Sequence, residues 1–331
     1  MTEHTTSSEH KSHPLNEAAK FIRHIYWRDY VVYITFLIVF VIFSIGLADK
    51  GFLTPNNLLN IFRQTATTAV MAVAMTFVLA SAEIDLSVGA VAGLASVTTA
   101  LIVGQYGLWA GIIAGLMTGL LVGLLNGFLV TKIGIPSFLV TLGMQGIATG
   151  VAMWVTHTAP VPIANTTYTF IFGQGNVGLL PTLLLWTSIA LIVGHICLKH
   201  TPYGRQTLAT GGNETAARYS GINTKRIKYI TFVIMSVTAA LAGMLYAGRL
   251  RSGRFQWGQG DELSVIAAVV LGGTSLFGGK GSVVGTIFGA ILIGLINNGL
   301  SLMGLESSQQ MIVRGAIIIM AVALTGRKPQ S

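Results

Sequence analysis

Residues 199–228 read KHTPYGRQTLATGGNETAARYSGINTKRIK, and six of these thirty residues are Lys or Arg. Apolar runs flank the island, Leu179–Leu198 before it and Tyr229–Gly248 after it. At 1.5 Å per residue, each flank can cross a hydrocarbon core about 30 Å thick. The island therefore joins two membrane helices on one side of a bilayer. It is also patterned inside. Gly211 and Gly212 end whatever precedes them, and Asn213 is a good N-cap. Glu214 falls in a first turn, where a negative charge suits the helix dipole. Glu214 and Arg218 form an i,i+4 pair of favourable orientation, and Gly221 is placed to terminate the helix. The pattern predicts a capped helix of about two turns. Its small face, Ala216, Ala217 and Ser220, could seat in a groove on a partner, although a bare connecting loop would satisfy the same local physics.

Composition places this loop in an all-α polytopic membrane protein. The chain is 52% hydrophobic and only 9% charged, against about 25% charged in soluble domains. Its forty glycines suit close helix approach in lipid. Ten spans are expected: Val31–Leu47, Leu58–Ala80, Leu86–Val103, Leu108–Val130, Pro136–Val155, Leu179–Leu198, Tyr229–Gly248, Leu263–Phe277, Val283–Leu302 and Met311–Leu324. The eighth is short and runs into GGTSLFGGKGS, so it reads as a broken or re-entrant element. Residues 1–29 form a polar tail ending in an interfacial amphipathic stretch, Ala18–Tyr30. Residues 30–326 form one membrane domain, and 327–331 a short second tail. The single cysteine, Cys197, allows neither an intrachain disulfide nor a Cys-based metal site.

The net charge of +9 reports orientation rather than nucleic-acid binding. With both termini on the cytoplasmic side, fourteen cations fall inside and four outside, with Arg63 and Arg314 left within spans. The outer exception is RLRSGR, whose Arg249, Arg251 and Arg254 read as facing an acidic partner. The long outer loop Thr156–Gly178 is expected to join them in a docking face. The chain also repeats itself at an offset of about 170–180 residues. VGLLNG (122–127) matches IGLINN (293–298), and Asp85-Leu86-Ser87-Val88 matches Glu262-Leu263-Ser264-Val265. Five helices per half, an odd number, make the second half inverted, a common construction in transporters.

No constellation for chemistry is visible. GGTSLFGGKGS fails as a phosphate loop, because Thr274 stands where the first glycine is needed and Gly281 follows Lys280. No HExxH pattern and no nucleophile–base set occurs, so conduction is favoured over catalysis, and no catalytic residue or metal site is assigned. Glu83 and Asp85 close the second span without an obvious basic partner nearby. Asp85 can cap the next helix, or the pair could couple transport to an ion gradient. Gln64, Asn126, Gln145, Asn297 and Asn298 are the candidates for a path that carries hydroxyl-rich solutes. Each could equally hold helices together.

Several long motifs, in order, resemble the permeases of ribose-type bacterial ABC importers. They are AEIDLSVGAVAG (82–93), NGFLVTKIGIPSFLVTLG (126–143), GGNETAARYSGI (211–222), DELSVIAAVVLGGTSLFGGKGSVVGT (261–286) and NNGL (297–300). The resemblance runs from about Asn56 to Leu324 and leaves out the N-terminal tail. It implies a multi-pass protein of the bacterial cytoplasmic membrane, paired with a second permease subunit. It further implies two cytoplasmic ATPase subunits carrying ATP and Mg, and a soluble sugar-binding protein outside. No cofactor would be bound by this chain itself, and the cargo would be a monosaccharide, ribose first. Carried over by motif, Gly212, Asn213, Glu214, Ala217, Arg218 and Gly221 are the ATPase-coupling positions. A secondary sugar transporter driven by an ion gradient is the competing expectation.

Overall fold

The computed structural model describes residues 14–325, with side chains from Tyr30 onward, a few positions in the last helix excepted. Of the expected N-terminal tail, residues 1–29, the first thirteen lie outside the described residues, as do the expected second tail, 327–331, and the side chain of Arg314. In chain order the elements are α1 (Pro14–Gly46), α2 (Pro55–Ala80), α3 (Val88–Tyr106), α4 (Leu108–Phe128) with a π turn at Leu129–Ile133, and α5 (Ser137–Thr156). Next come β1 (Val161–Pro162), α6 (Thr166–Thr169) with a π turn at Phe170–Gln174, β2 (Asn176–Val177) and β3 (Leu180–Pro181). Then follow α7 (Thr182–His200), α8 (Pro202–Gly212), α9 (Glu214–Tyr219) and α10 (Thr224–Leu250). The chain ends with β4 (Ser252–Gly253), α11 (Asp261–Leu271), α12 (Val283–Leu302) and α13 (Ser307–Thr325). Among the described residues seven helices are long and apolar enough to cross a membrane, namely α2, α3, α4 with its π turn, α5, α7, α10 and α12. The chain is thus an all-α multi-pass membrane protein. The backbone of α1 runs unbroken through the stretch expected to lie at the interface.

Glycine spacing on α4 explains how the bundle closes. Gly111, Gly115, Gly119, Gly123 and Gly127 recur every fourth residue and are buried. A Cβ on Gly119 would lie 2.5 Å from the Ser236 carbonyl oxygen, and one on Gly123 2.8 Å from Val233 Cα. The α4 backbone therefore lies directly on α10, as small residues allow in lipid. Its opposite face, with Ile113, Met117, Leu121 and Leu124, is exposed and apolar, as a lipid-facing stripe should be. The most buried of the membrane-length helices are α2, α3 and α12, with α10 and α11 completing the centre.

Two helices depart from the bounds that hydropathy suggested. The third span begins at Val88 rather than Leu86, because Asp85 Oδ1 accepts from Ser87 N–H (2.8 Å) and Ser87 O–H (2.6 Å). This Asx turn holds 85–87 out of the helix instead of capping it. The extended chain before it keeps its donors paired with α5: Ile84 N–H reaches Ser137 Oγ at 3.2 Å and Leu86 N–H reaches Thr141 Oγ1 at 3.0 Å. Ahead of the eighth span, Leu263–Phe277, residues 253–258 run antiparallel to α3, with Gly253 beside Ser96 and Gly258 beside Gly89. Ser96 Oγ serves both the Arg254 carbonyl and its N–H. Only then does α11 begin, and it stops at Leu271 before a glycine turn. The element is broken, as its length suggested.

The loop Thr156–Gly178 is not an open connection. Val161 and Pro162 pair with Gly253 and Ser252, and β2 and β3 form a hairpin. Tyr168, Phe172 and Trp186 stack between them.

Candidate coupling surface

The polar island folds into α8 and α9. Thr201 Oγ1 accepts from Gly204 N–H at 3.2 Å, starting α8 directly after α7. Gly211 is buried, and a Cβ there would lie 1.9 Å from the Ala80 carbonyl oxygen and 2.9 Å from Gly279 N. Gly279 N–H donates to the same Ala80 oxygen at 3.0 Å. Gly278, left-handed at φ +82°, presses on the Gly211 carbonyl. The end of α2, the end of α8 and the 272–282 glycine turn thus meet backbone on backbone. The glycines of GGTSLFGGKGS serve as this seat, while Lys280 is exposed.

Asn213 leaves α8 in an extended conformation, and its Oδ1 accepts from Ala216 N–H at 2.9 Å, capping α9. Gly221, at φ +84°, ends the turn. Asn213, Thr215, Ala216, Arg218, Tyr219 and Ser220 are exposed, with Tyr219 at 89%. The expected small face is divided. Ala216 and Ser220 point out, whereas Ala217 is 5% exposed and turned into the protein. Gly212 lies open at the surface, with its nearest obstacle 3.6 Å away.

Glu214 and Arg218 approach to 3.6 Å, with Arg218 two-thirds exposed, a geometry worth little. The stronger partner is Lys228, which sequence reading missed. Its Nζ lies 2.7 Å from Glu214 Oε2 and 2.7 Å from Glu83 Oε1. Glu83 therefore has a basic partner after all, 145 positions away in the chain. Thr224 O–H donates to Glu214 Oε1 at 3.1 Å. Thr224 and Lys228, one turn apart on α10, so clamp one carboxylate. The only local signal was that both are polar at i,i+4 on a helix start.

The Lys228 hydrogen bond, opposed by partial burial, holds the Glu214 carboxyl below its usual range. The stabilisation from a depressed carboxyl is complete above the unfolded value and lost only as pH falls through the folded one. Attachment of α9 should therefore persist through the range where free glutamates protonate. Hydrogen exchange of the α9 amides against pH checks this.

The proposed path residues are not brought together. Asn126 is buried and donates to Ser87 Oγ at 3.2 Å. Gln145 donates to Glu262 Oε1 at 3.3 Å. Asn298 and Asn57 exchange amide hydrogen bonds of 2.9 and 3.1 Å. Gln64 is exposed, and Asn297 is half-buried. Asn298 in particular joins α12 to α2. Asn298→Ala should leave Asn57 unpaired and cost about 1–2 kcal/mol, read as a lower thermal midpoint in detergent. Joint replacement of both by Leu should recover most of the loss.

A profile for the permease component of branched-chain amino acid transport systems matches residues 57–322. The chain belongs to this permease family. It is 40% identical to the ribose import permease protein of Escherichia coli (strain K12), over 85% of this chain and 88% of that one. Identity to the ribose import permease protein of Bacillus subtilis (strain 168) is 41%, over 86% and 89% of the two chains. The L-arabinose transport system permease protein of E. coli K12 is 36% identical, over 89% and 90%. These relatives place it in the ribose-type group of ABC permeases.

At the other end of the permease's α10, a rod of 27 residues and about 40 Å, lie the three arginines. Arg249 donates to the Arg63 carbonyl at 3.1 Å and lies over Tyr246. Arg63 itself reaches Asn176 of the hairpin at 3.0 Å. Arg251 donates to Gln174 Oε1 at 2.9 Å, and Arg254 lies over Trp257. Arg251, and Arg249 by way of Arg63, thus tie the 156–178 loop to this end of α10, and of the three arginines only Arg251 is exposed.

Proposed function

We propose that this permease is the membrane subunit of an ATP-driven importer that passes a monosaccharide, ribose-like by its relatives, into a bacterial cell. It pairs with a second permease subunit in the cytoplasmic membrane. Cytoplasmic ATPase subunits, which carry ATP and magnesium, grip α9. A soluble sugar-binding protein docks on the cap formed by β1, β4 and the β2–β3 hairpin, near Arg251. Both termini lie on the α9 side. The two halves of the chain are inverted copies, each with a non-helical segment feeding a helix: 82–87 into α3, and 251–260 into α11.

One observation carries this reading. A short, fully capped helix, exposed on one face, is fastened to a membrane-length helix by a carboxylate with two partners. Such a helix presents a rigid outward surface whose displacement is passed to α10. Nothing in its chemistry requires a solute, and everything in its geometry suits a protein partner. Of the alternative's two ion-coupling candidates, Glu83 is committed to Lys228 and Asp85 Oδ1 accepts from Ser87 N–H and O–H.

The gradient-driven alternative is separated by energising proteoliposomes that contain permease, ATPase and binding protein. Uptake of labelled ribose should require ATP and persist when ionophores collapse the proton and sodium gradients. Uptake that follows either gradient without ATP would overturn the proposal.

A further inference from the structure

The triad Glu83–Lys228–Glu214 joins three elements that are far apart in the chain. Glu214 begins α9, Lys228 stands one turn into α10, and Glu83 opens the extended segment 82–87. The Lys228 and Glu83 side chains are 14% and 12% exposed. Two partly desolvated carboxylates on one ammonium make a stiff link, because separating either leaves a charge poorly solvated. The segment reached through Glu83 is itself tightly tied. Two of its amides hang on Ser137 and Thr141 of α5, and it leads into the first turn of α3, where Gly89 is in backbone contact with Gly258 of the 251–260 segment. The outer end of α10 is tied as well, Tyr246 O–H donating to Asp261 at the start of α11.

We infer that Lys228 is a positioning residue for transport, the clasp through which displacement of α9 moves the 82–87 segment and α5 along the membrane path. This rests on the reading of α9 as the ATPase contact. Without the clasp, α9 still meets its ATPase and hydrolysis continues, but the stroke is not delivered to the membrane interior.

Glu83→Gln tests this best, because it cuts the link to the segment while leaving Glu214 and Lys228 paired on the partner side. In proteoliposomes of the full importer, ATP hydrolysis and ribose uptake are measured together. Glu83→Gln and Lys228→Gln should lower ribose moved per ATP by about tenfold, the equivalent of one charged hydrogen bond. In Glu83→Gln, ATPase association and turnover should stay within about twofold of wild type, and Lys228→Arg should keep the transport ratio near wild type. An unchanged ratio in Glu83→Gln overturns the inference. So does a parallel fall of uptake and hydrolysis, which marks a fold or assembly role. Failure of the wild-type permease to bind the ATPase would instead reject the reading of α9 itself.

Discussion

Gly89→Val should abolish uptake and markedly destabilise the purified permease. Gly89 lies in the first turn of α3, where the two non-helical segments touch. A Cβ there would lie 2.1 Å from the Gly258 carbonyl oxygen and 2.8 Å from Glu262 Oε2. A Cβ on Gly258 would meet the Gly89 oxygen at 2.6 Å in return, and Gly258 is left-handed at φ +87°. The obstacle is backbone on both sides, so no side-chain rotation relieves it. Inserting methyl groups at such a contact costs about 1–3 kcal/mol, and occasionally more. Here the same insertion also pries 82–87 from 253–260, the elements that interrupt the bundle. The thermal midpoint in detergent reads the first effect and proteoliposome uptake the second. Gly89→Ala should shift both in the same direction by less.

Gly211→Ala should be nearly as damaging, for a different function. Its Cβ would lie 1.9 Å from the Ala80 carbonyl oxygen, which already accepts from Gly279 N–H. The end of α8 would have to lift from α2, taking Asn213 and the α9 cap with it. Membrane insertion should survive, while ATP-dependent uptake should fall to near background. The neighbouring Gly212→Ala is the control. Its nearest obstacle, Gly279 Cα, is 3.6 Å away, an ordinary contact, so its thermal midpoint should match wild type. A matched loss of stability in both variants would show that the seat at Ala80 is not what selects glycine.

Much of the fold was legible because lipid makes the rules simple. Helices must satisfy their own backbone, so twenty-residue apolar runs mark spans, and α2, α4, α5, α10 and α12 appear where hydropathy puts them. The α9 cap was legible too, since Asn213, Glu214 and Gly221 act within one turn of themselves. What was hidden depends on contacts between distant segments. Lys228 is an unremarkable basic residue at a span's edge until the fold brings Glu83 beside it. The stretches 82–87 and 251–260 fall almost wholly between the expected spans, so hydropathy gave no hint that they run inside the bundle. There the Ser137, Thr141 and Ser96 side chains take over backbone hydrogen bonds that a helix would make for itself. Asn298 looked like a path residue because an in-span amide suits a sugar and a neighbouring helix equally. Its partner Asn57 stands just before the second expected span and was not among the polar candidates. The outer arginines looked available because sequence cannot show that Gln174 and the Arg63 carbonyl receive two of them.

The central claim, that α9 is the surface the ATPase grips, is tested most directly by cross-linking. Tyr219 projects from α9 almost fully exposed, and Cys197 is the only native thiol. A Tyr219→Cys variant in a Cys197→Ser background, assembled with its ATPase and treated with a short thiol-to-amine cross-linker, should yield a permease–ATPase adduct. The same reagent at Arg251→Cys should yield none with the ATPase. A Tyr219→Cys thiol that labels freely but never cross-links, in a complex that hydrolyses ATP and transports, would contradict the account.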